Sequence, residues 1–269
     1  MKPANPPLRD WQGRTVWVLG ASSGIGLATA EHLARAGARL IVSARNAAAL
    51  DGFCQCHPGA LALPLDVTDV ASIRQSFAAL CQHLDADSRP LDLVMYCVGH
   101  YRPMQACHLD LEQLQLHFEI NYLGALRVLE QVLPRLQAQR HGHLSLVSSV
   151  AGYRGLPLAL AYGPTKAALI SLAQTLHHDL APLGLGVSVI NPGFVATGLT
   201  AQNDFEMPAL QTPDQAAQAI LRGWASGRFD IHFPRRFSGG VKALAWLGLL
   251  SDRLAFTIIR RITAPAQQP

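Results

Sequence analysis

At 269 residues, 49% of them hydrophobic and 15% charged, the chain has the length and the apolar surface for one large core, which excludes a disordered or fibrous protein. Its formal charge of +4 is scattered apart from Arg235-Arg236 and Arg260-Arg261, and a phosphate-tracking surface needs clustered cations, so nucleic-acid binding is set aside. Five cysteines, an odd number in a chain that opens without a secretory leader, argue against a disulfide framework and for a reducing compartment, with the cytoplasm as default.

Residues 1–12 are Pro-rich and polar and read as a flexible lead-in. The first strand is expected at Thr15-Val16-Trp17-Val18-Leu19, then a helix from about Ile25 to Ala36 and a strand at Leu40-Ile41-Val42. Cys54, Cys56 and His57 invite a metal site, but no second pair stands at zinc spacing; the segment reads as a surface loop and no metal is expected. Further strands are expected at Leu61 to Leu65, Leu91 to Cys97, Leu144 to Val147 and Val187 to Ile190, each separated by a helical-length segment. Such nearly all-apolar strands are buried on both faces. Their alternation with helices predicts an α/β fold, a doubly wound parallel sheet of Rossmann type in three α/β/α layers, with a single catalytic domain over 13–235.

The stretch from Asn203 to Gln211 reads as an irregular loop suited to a lid. Residues 236–269 read as an apolar helical C-terminal extension. Asp252 and Arg253 interrupt the apolar run of 241–262, so it is not expected to span a membrane. With Lys242 before it and Arg260-Arg261 after it, three placements are open: against a partner subunit, over the substrate cleft, or peripherally on a membrane.

Ligands of open parallel sheets bind at the carboxyl ends of the strands. After the first strand comes Gly20-Ala21-Ser22-Ser23-Gly24-Ile25-Gly26, opening directly into a helix; glycines permit a tight turn and let backbone N–H groups and the helix N-terminus approach a pyrophosphate. Ser22, Ser23 and Ile25 lie within that turn. After the second strand stands Ser43-Ala44-Arg45, where a carboxylate would grip the ribose 2′-OH of NAD. Arg45 is suited instead to a 2′-phosphate, with Ser43 adding a hydroxyl, so NADP(H) is expected. Asp66 and Val67 follow the third strand and suit an adenine edge; a helix cap by Asp66 or Thr68 is the plainer alternative.

Ser148-Ser149 ends the fifth strand, and Tyr162-Gly163-Pro164-Thr165-Lys166 opens a helix on which Tyr162 and Lys166, four apart, share a face. A phenol with a pKa of about 10 is a poor base at neutral pH, and a neighbouring ammonium is expected to lower it. Tyr162 then exchanges a proton with a carbonyl oxygen as hydride arrives at its carbon, while Ser149 orients that oxygen.

These residues resemble the classical short-chain dehydrogenase/reductase family over about Gly13 to Thr200. The resemblance implies Tyr162 as acid/base, Ser149 as orienting hydroxyl, Lys166 as a second contact to the nicotinamide ribose, and Asn121 as support for a water-mediated proton relay. It implies that Pro192-Gly193, with Val195 and Thr197, forms the turn beside the nicotinamide amide and pyrophosphate, and that the chain forms a homodimer or homotetramer. Where the family shows Asn-Ala-Gly after the fourth strand, this chain has Cys97-Val98-Gly99: the backbone role of Gly99 survives and the Asn side chain does not. His100, Tyr101, Tyr153, Phe194 and the segment from Leu199 to Leu210 are expected to line an apolar substrate pocket. The competing reading is a catalytically silent dinucleotide-binding sensor or scaffold, against which the intact Ser149/Tyr162/Lys166 set argues.

Overall fold

In the structure, a computed structural model, residues 2–263 are described. Seven parallel strands form one sheet in the order β3-β2-β1-β4-β5-β6-β7. They are β1 (Thr15–Leu19), β2 (Arg39–Ser43), β3 (Leu61–Ala62), β4 (Leu93–Tyr96), β5 (His143–Val147), β6 (Gly186–Pro192) and β7 (Asp230–Phe233). β7 has no counterpart among the strands expected from sequence; its short Asp-Ile-His-Phe run alternates polar and apolar, as an edge strand does, and lacks the continuous apolar signal of the others. β3, expected through Leu65, is two residues long. Pro64 has no N–H to give the ladder, although Leu63 and Leu65 still donate to the carbonyls of Val42 and Ala44.

The period-2 alternation of the strands divides the core between two faces. Trp17, Leu19, Ile41, Val94 and Tyr96 point to one side, which α3 (Val70–Ala86), α5 (Gly124–Gln139) and α6 (Tyr162–Leu180) cover. Val16, Val18, Leu40, Val42 and Met95 point to the other, under α1 (Gly24–Arg35), α2 (Ala47–Cys56) and α7 (Pro213–Ala225). α4 (Leu111–Phe118) runs through one π turn, Glu119–Leu123, into α5. The chain winds from β1 outward to β3 and then returns to place β4 on the other side of β1, so a crevice opens at the carboxyl ends of β1 and β4.

Three expectations need correction. The lead-in is packed: the Asn5 side chain exchanges hydrogen bonds with the backbone of Val187, Leu8 N–H donates to the Trp224 carbonyl, and Trp11 meets Trp224 edge-on at 5.6 Å. Leu8 and Trp11 carry enough apolar surface to hold a segment whose prolines suggested freedom. Cys54 and Cys56 lie on α2 and not in a loop. The apolar tail is two helices, α8 (Arg235–Leu250) and α9 (Asp252–Thr263), because Ser251 adopts an extended backbone and interrupts the helical hydrogen bonding. None of the described helices is long and apolar enough to cross a membrane.

Candidate active site

A cleft of 480 Å³ occupies the crevice above β1 and β4. Its floor begins at the turn after β1. Gly20 has φ +87°, and a Cβ there would lie 2.7 Å from the Cys97 carbonyl oxygen; at Gly26 it would lie 2.1 Å from that of Gly20, so α1 packs on the turn with no room for a methyl group. Ser23, the residue before α1, makes no side-chain cap, which leaves first-turn N–H groups available at the cleft. A Cβ at Gly24 would meet Thr197 at 2.9 Å, so the turn after β6 closes against the start of α1. Ser22, Ile25, Gly99, Pro192, Gly193 and Val195 border the same space.

Arg45 is exposed at the end of β2 and borders the cleft, as do Asp66 and Val67. Asn46 caps α2 by accepting from Ala49 N–H, and α3 is capped not by Asp66 or Thr68 but by Asp69, which accepts from Ala71 N–H. Asp66 instead accepts from the N–H and hydroxyl of Thr68. Partial burial pulls its carboxyl upward, but those bonds and the Arg45 charge hold it below its ordinary value. Ser43 borders the cleft as well. It is fully buried, and its hydroxyl accepts from Trp17 Nε1 at 2.9 Å.

Ser149, Tyr162 and Lys166 converge on the cleft from the end of β5 and the first turn of α6. The Ser149 hydroxyl pulls the Tyr162 phenol downward, and its Oγ accepts from Ala151 N–H at 3.1 Å. Lys166 Nζ donates to the Val147 carbonyl at 3.0 Å and lies 5.4 Å from the centre of the Tyr162 ring. The expected lowering of the phenol is not met by the protein groups alone. Burial pushes Tyr162 above the ordinary tyrosine range against the pull of the Ser149 hydrogen bond, and burial brings Lys166 down to about 8. Desolvation is the largest influence on both groups, and the Lys166 ammonium is itself buried and directed at the Val147 carbonyl.

Asn121 does not border the cleft. It sits fully buried in the π turn, where its side chain accepts from His100 N–H at 2.6 Å and donates to the His100 carbonyl and to Thr165 Oγ1, both at 3.0 Å. It thus clamps the loop after β4 to α6, and its Oδ1 and Lys166 Nζ would each lie 3.8 Å from a Cβ at Gly99. On the outer side, Tyr101 stacks edge-on against Tyr162 at 5.0 Å and donates to Asn203, while Gln202 bonds its carbonyl, so the loop after β6 is tied across the cleft. Leu199, Phe194 and Phe205 border the cleft as well. Tyr153 is absent from its wall: its hydroxyl donates to Asp230, which also binds Asn191 and Lys242. Sequence reading missed Phe237 of α8, stacked 5.7 Å from Phe194, and Leu156. Both lie outside any motif, and only the tertiary fold brings them to the cleft.

Comparison with known proteins agrees with this geometry. The family described as short chain dehydrogenase matches residues 14–207. An uncharacterized oxidoreductase of Myxococcus xanthus is 36% identical over 225 residues, 82% of this chain and 87% of the relative. The 2,3-dihydro-2,3-dihydroxybenzoate dehydrogenase of Escherichia coli is 31% identical, with 84% of each chain covered. Among solved structures, a short-chain dehydrogenase from Streptomyces avermitilis superimposes with a TM-score of 0.77 at 24% identity, covering 94% of this chain and 99% of that one, which concerns the fold alone. With a seven-stranded Rossmann sheet, a glycine cradle after β1 and Ser, Tyr and Lys in one cleft, the chain belongs to the short-chain dehydrogenase/reductase family of oxidoreductases.

Proposed function

We propose that the protein is an NADP(H)-dependent oxidoreductase that interconverts a carbonyl and a secondary alcohol on an apolar substrate, with Tyr162 as its acid/base. The observation that carries this reading is the convergence of Ser149, Tyr162 and Lys166 on one wall, the Lys166 ammonium 5.4 Å from the centre of the Tyr162 ring, in a cleft whose floor is the Gly20–Gly26 cradle. The cradle fits a dinucleotide: it offers uncapped helix N–H groups at a turn too tight for any Cβ. Arg45, exposed where NAD-binding folds carry an acid, favours the 2′-phosphate form.

The nicotinamide ring, when bound, supplies or accepts the hydride. The chain supplies the proton. Tyr162, held protonated by burial, donates its hydroxyl hydrogen to the substrate oxygen in reduction and takes it back in oxidation. Ser149 donates a second hydrogen bond to that oxygen and fixes its direction. Lys166, at about 8, is a cation at neutral pH and offsets negative charge on the phenol as the proton leaves. Asn121 holds His100 and α6 in register, supporting the wall on which Tyr101 packs. Phe194, Phe205 and Phe237 make the substrate side apolar and aromatic.

The test is turnover of NADPH or NADH with a panel of ketones, aldehydes and fatty or steroid-like carbonyls, followed by nicotinamide absorbance. Tyr162→Phe is expected to lower kcat by about 10²–10⁴ while NADPH still binds. A Tyr162→Phe protein that turns over at the wild-type rate overturns the assignment.

A further inference from the structure

We propose that the elbow between α8 and α9 is a docking surface for an anionic lipid bilayer, on which the protein lies without crossing it. Three observations carry this, none of them part of the catalytic reading. The first is apolar exposure. Trp246, Leu249 and Leu250 are 71%, 80% and 87% exposed, share one face of α8 by their i, i+3, i+4 spacing, and stand at the turn where Ser251 ends the helix. Beyond the turn, Leu254 and Phe256 of α9 are half exposed while Ala255 is buried against the protein. Large apolar side chains gathered at one corner of a fold mark a contact with something.

The second is charge. Arg235, Arg236, Lys242, Arg253, Arg260 and Arg261 face a single acid, Asp252, within residues 235–263, a net of +5 in a chain whose total is +4. The rest of the protein is therefore close to neutral, and the cationic field belongs to these two helices, with Arg253 at the elbow itself and Arg235-Arg236 at the far end of α8. Asp252 is neutralised by Arg154 at 2.6 Å, and Lys242 pairs with Asp230. The five arginines are exposed and form no ion pair among the described residues.

The third is the kind of partner this pairing fits. A second copy docking by two-fold symmetry would bring the same arginine-rich corner against itself, which costs like-charge repulsion. A bilayer bearing anionic headgroups accepts the apolar face into its acyl boundary and the arginines among its phosphates. None of the described helices is long and apolar enough to cross, so the surface lies on the membrane. α8 also carries Phe237 into the cleft, so elbow and cleft are joined by about 20 Å of one helix.

The chain contains its own probe. Of its four tryptophans, Trp11, Trp17 and Trp224 are buried and only Trp246 is exposed, so a vesicle-dependent blue shift of tryptophan emission reports the elbow. The full-length protein is titrated with phosphatidylcholine vesicles with and without phosphatidylglycerol, and bound protein is measured by sedimentation. Blue shift and sedimentation are expected only with phosphatidylglycerol, and salt that shortens the Debye length to about 3 Å should abolish them. Arg253→Gln/Arg260→Gln/Arg261→Gln should weaken partitioning roughly a hundredfold, at about a factor of five per cation. Leu249→Ser/Leu250→Ser should cost about tenfold per leucine. All five positions are exposed, so an unchanged Tm verifies folding. Absence of a blue shift overturns the proposal, whether the protein is a monomer by light scattering or a dimer dissociated by the leucine variant, the latter result assigning the face to a second copy. Equal binding to neutral vesicles also overturns it.

Discussion

Gly26→Ala is the sharpest test of the nucleotide cradle, because the perturbation is a single methyl group. In the wild-type geometry that methyl carbon would lie 2.1 Å from the Gly20 carbonyl oxygen and 2.9 Å from its carbonyl carbon, both backbone atoms with no side chain to yield. Carbon–oxygen contacts close at about 3.3 Å, so α1 must retreat from the turn after β1 by about 1.2 Å. Forced overpacking of this kind costs about 1–3 kcal/mol of stability. The larger effect falls on binding, since the N–H groups meant for a pyrophosphate leave their positions, and a 1 Å misplacement is worth about 10²-fold. NADPH affinity, measured by calorimetry, should therefore fall about a hundredfold. Gly52→Ala is the paired control. Gly52 lies within α2 with nothing within 4 Å of its Cβ position, so the change should stabilise the protein by about 0.5–1 kcal/mol and leave NADPH binding alone. An NADPH Kd in Gly26→Ala indistinguishable from wild type would refute the reasoning.

The remaining expectations are shorter to state. Arg45→Ala should weaken NADPH binding by about 10–150-fold, the worth of a lost charge-assisted phosphate contact, and barely change NADH; equal losses for the two cofactors remove Arg45 from the phosphate role. His143, buried on β5 and bonded to Ser188, is held down to about 3 by desolvation, with His177 adding to the effect, against an ordinary value near 6.5. Between those values the unfolded chain takes a proton that the native state refuses, so stability is full above 6.5 and falls as pH drops towards 3. At pH 5 that loss is about 2 kcal/mol, and His143→Leu should remove it; urea midpoints at pH 7 and 5 that shift equally in both proteins would contradict this.

How much of this was legible in the sequence follows from the range of the forces involved. β1, with Trp17 and Leu19 on one face and Val16 and Val18 on the other, is apolar throughout because both faces are covered, and that signal lies in five consecutive residues. The turn Gly20–Gly26 and the first turn of α6 are equally local: a glycine where no Cβ fits, and a Tyr and a Lys one helical turn apart. β7 was not visible, because a short edge strand alternates polar and apolar and imitates a loop.

The sequence by itself determined the sheet-and-helix alternation, the glycine cradle and the identity of the Ser149, Tyr162 and Lys166 set, since each rests on spacing within a few residues. Only the tertiary structure decided which groups those residues meet. It turned Ser43 toward Trp17, drew Tyr153 to Asp230, placed Asn121 behind the cleft as a clamp on His100, and brought Phe237 in from the far end of the chain. It also reversed the expectation for the phenol. A lysine four residues away predicts a lowered tyrosine when only the pair is considered. The folded environment strips water from both groups, and desolvation becomes the largest influence on each. Burial is a property of the whole fold, which no window of neighbouring residues contains.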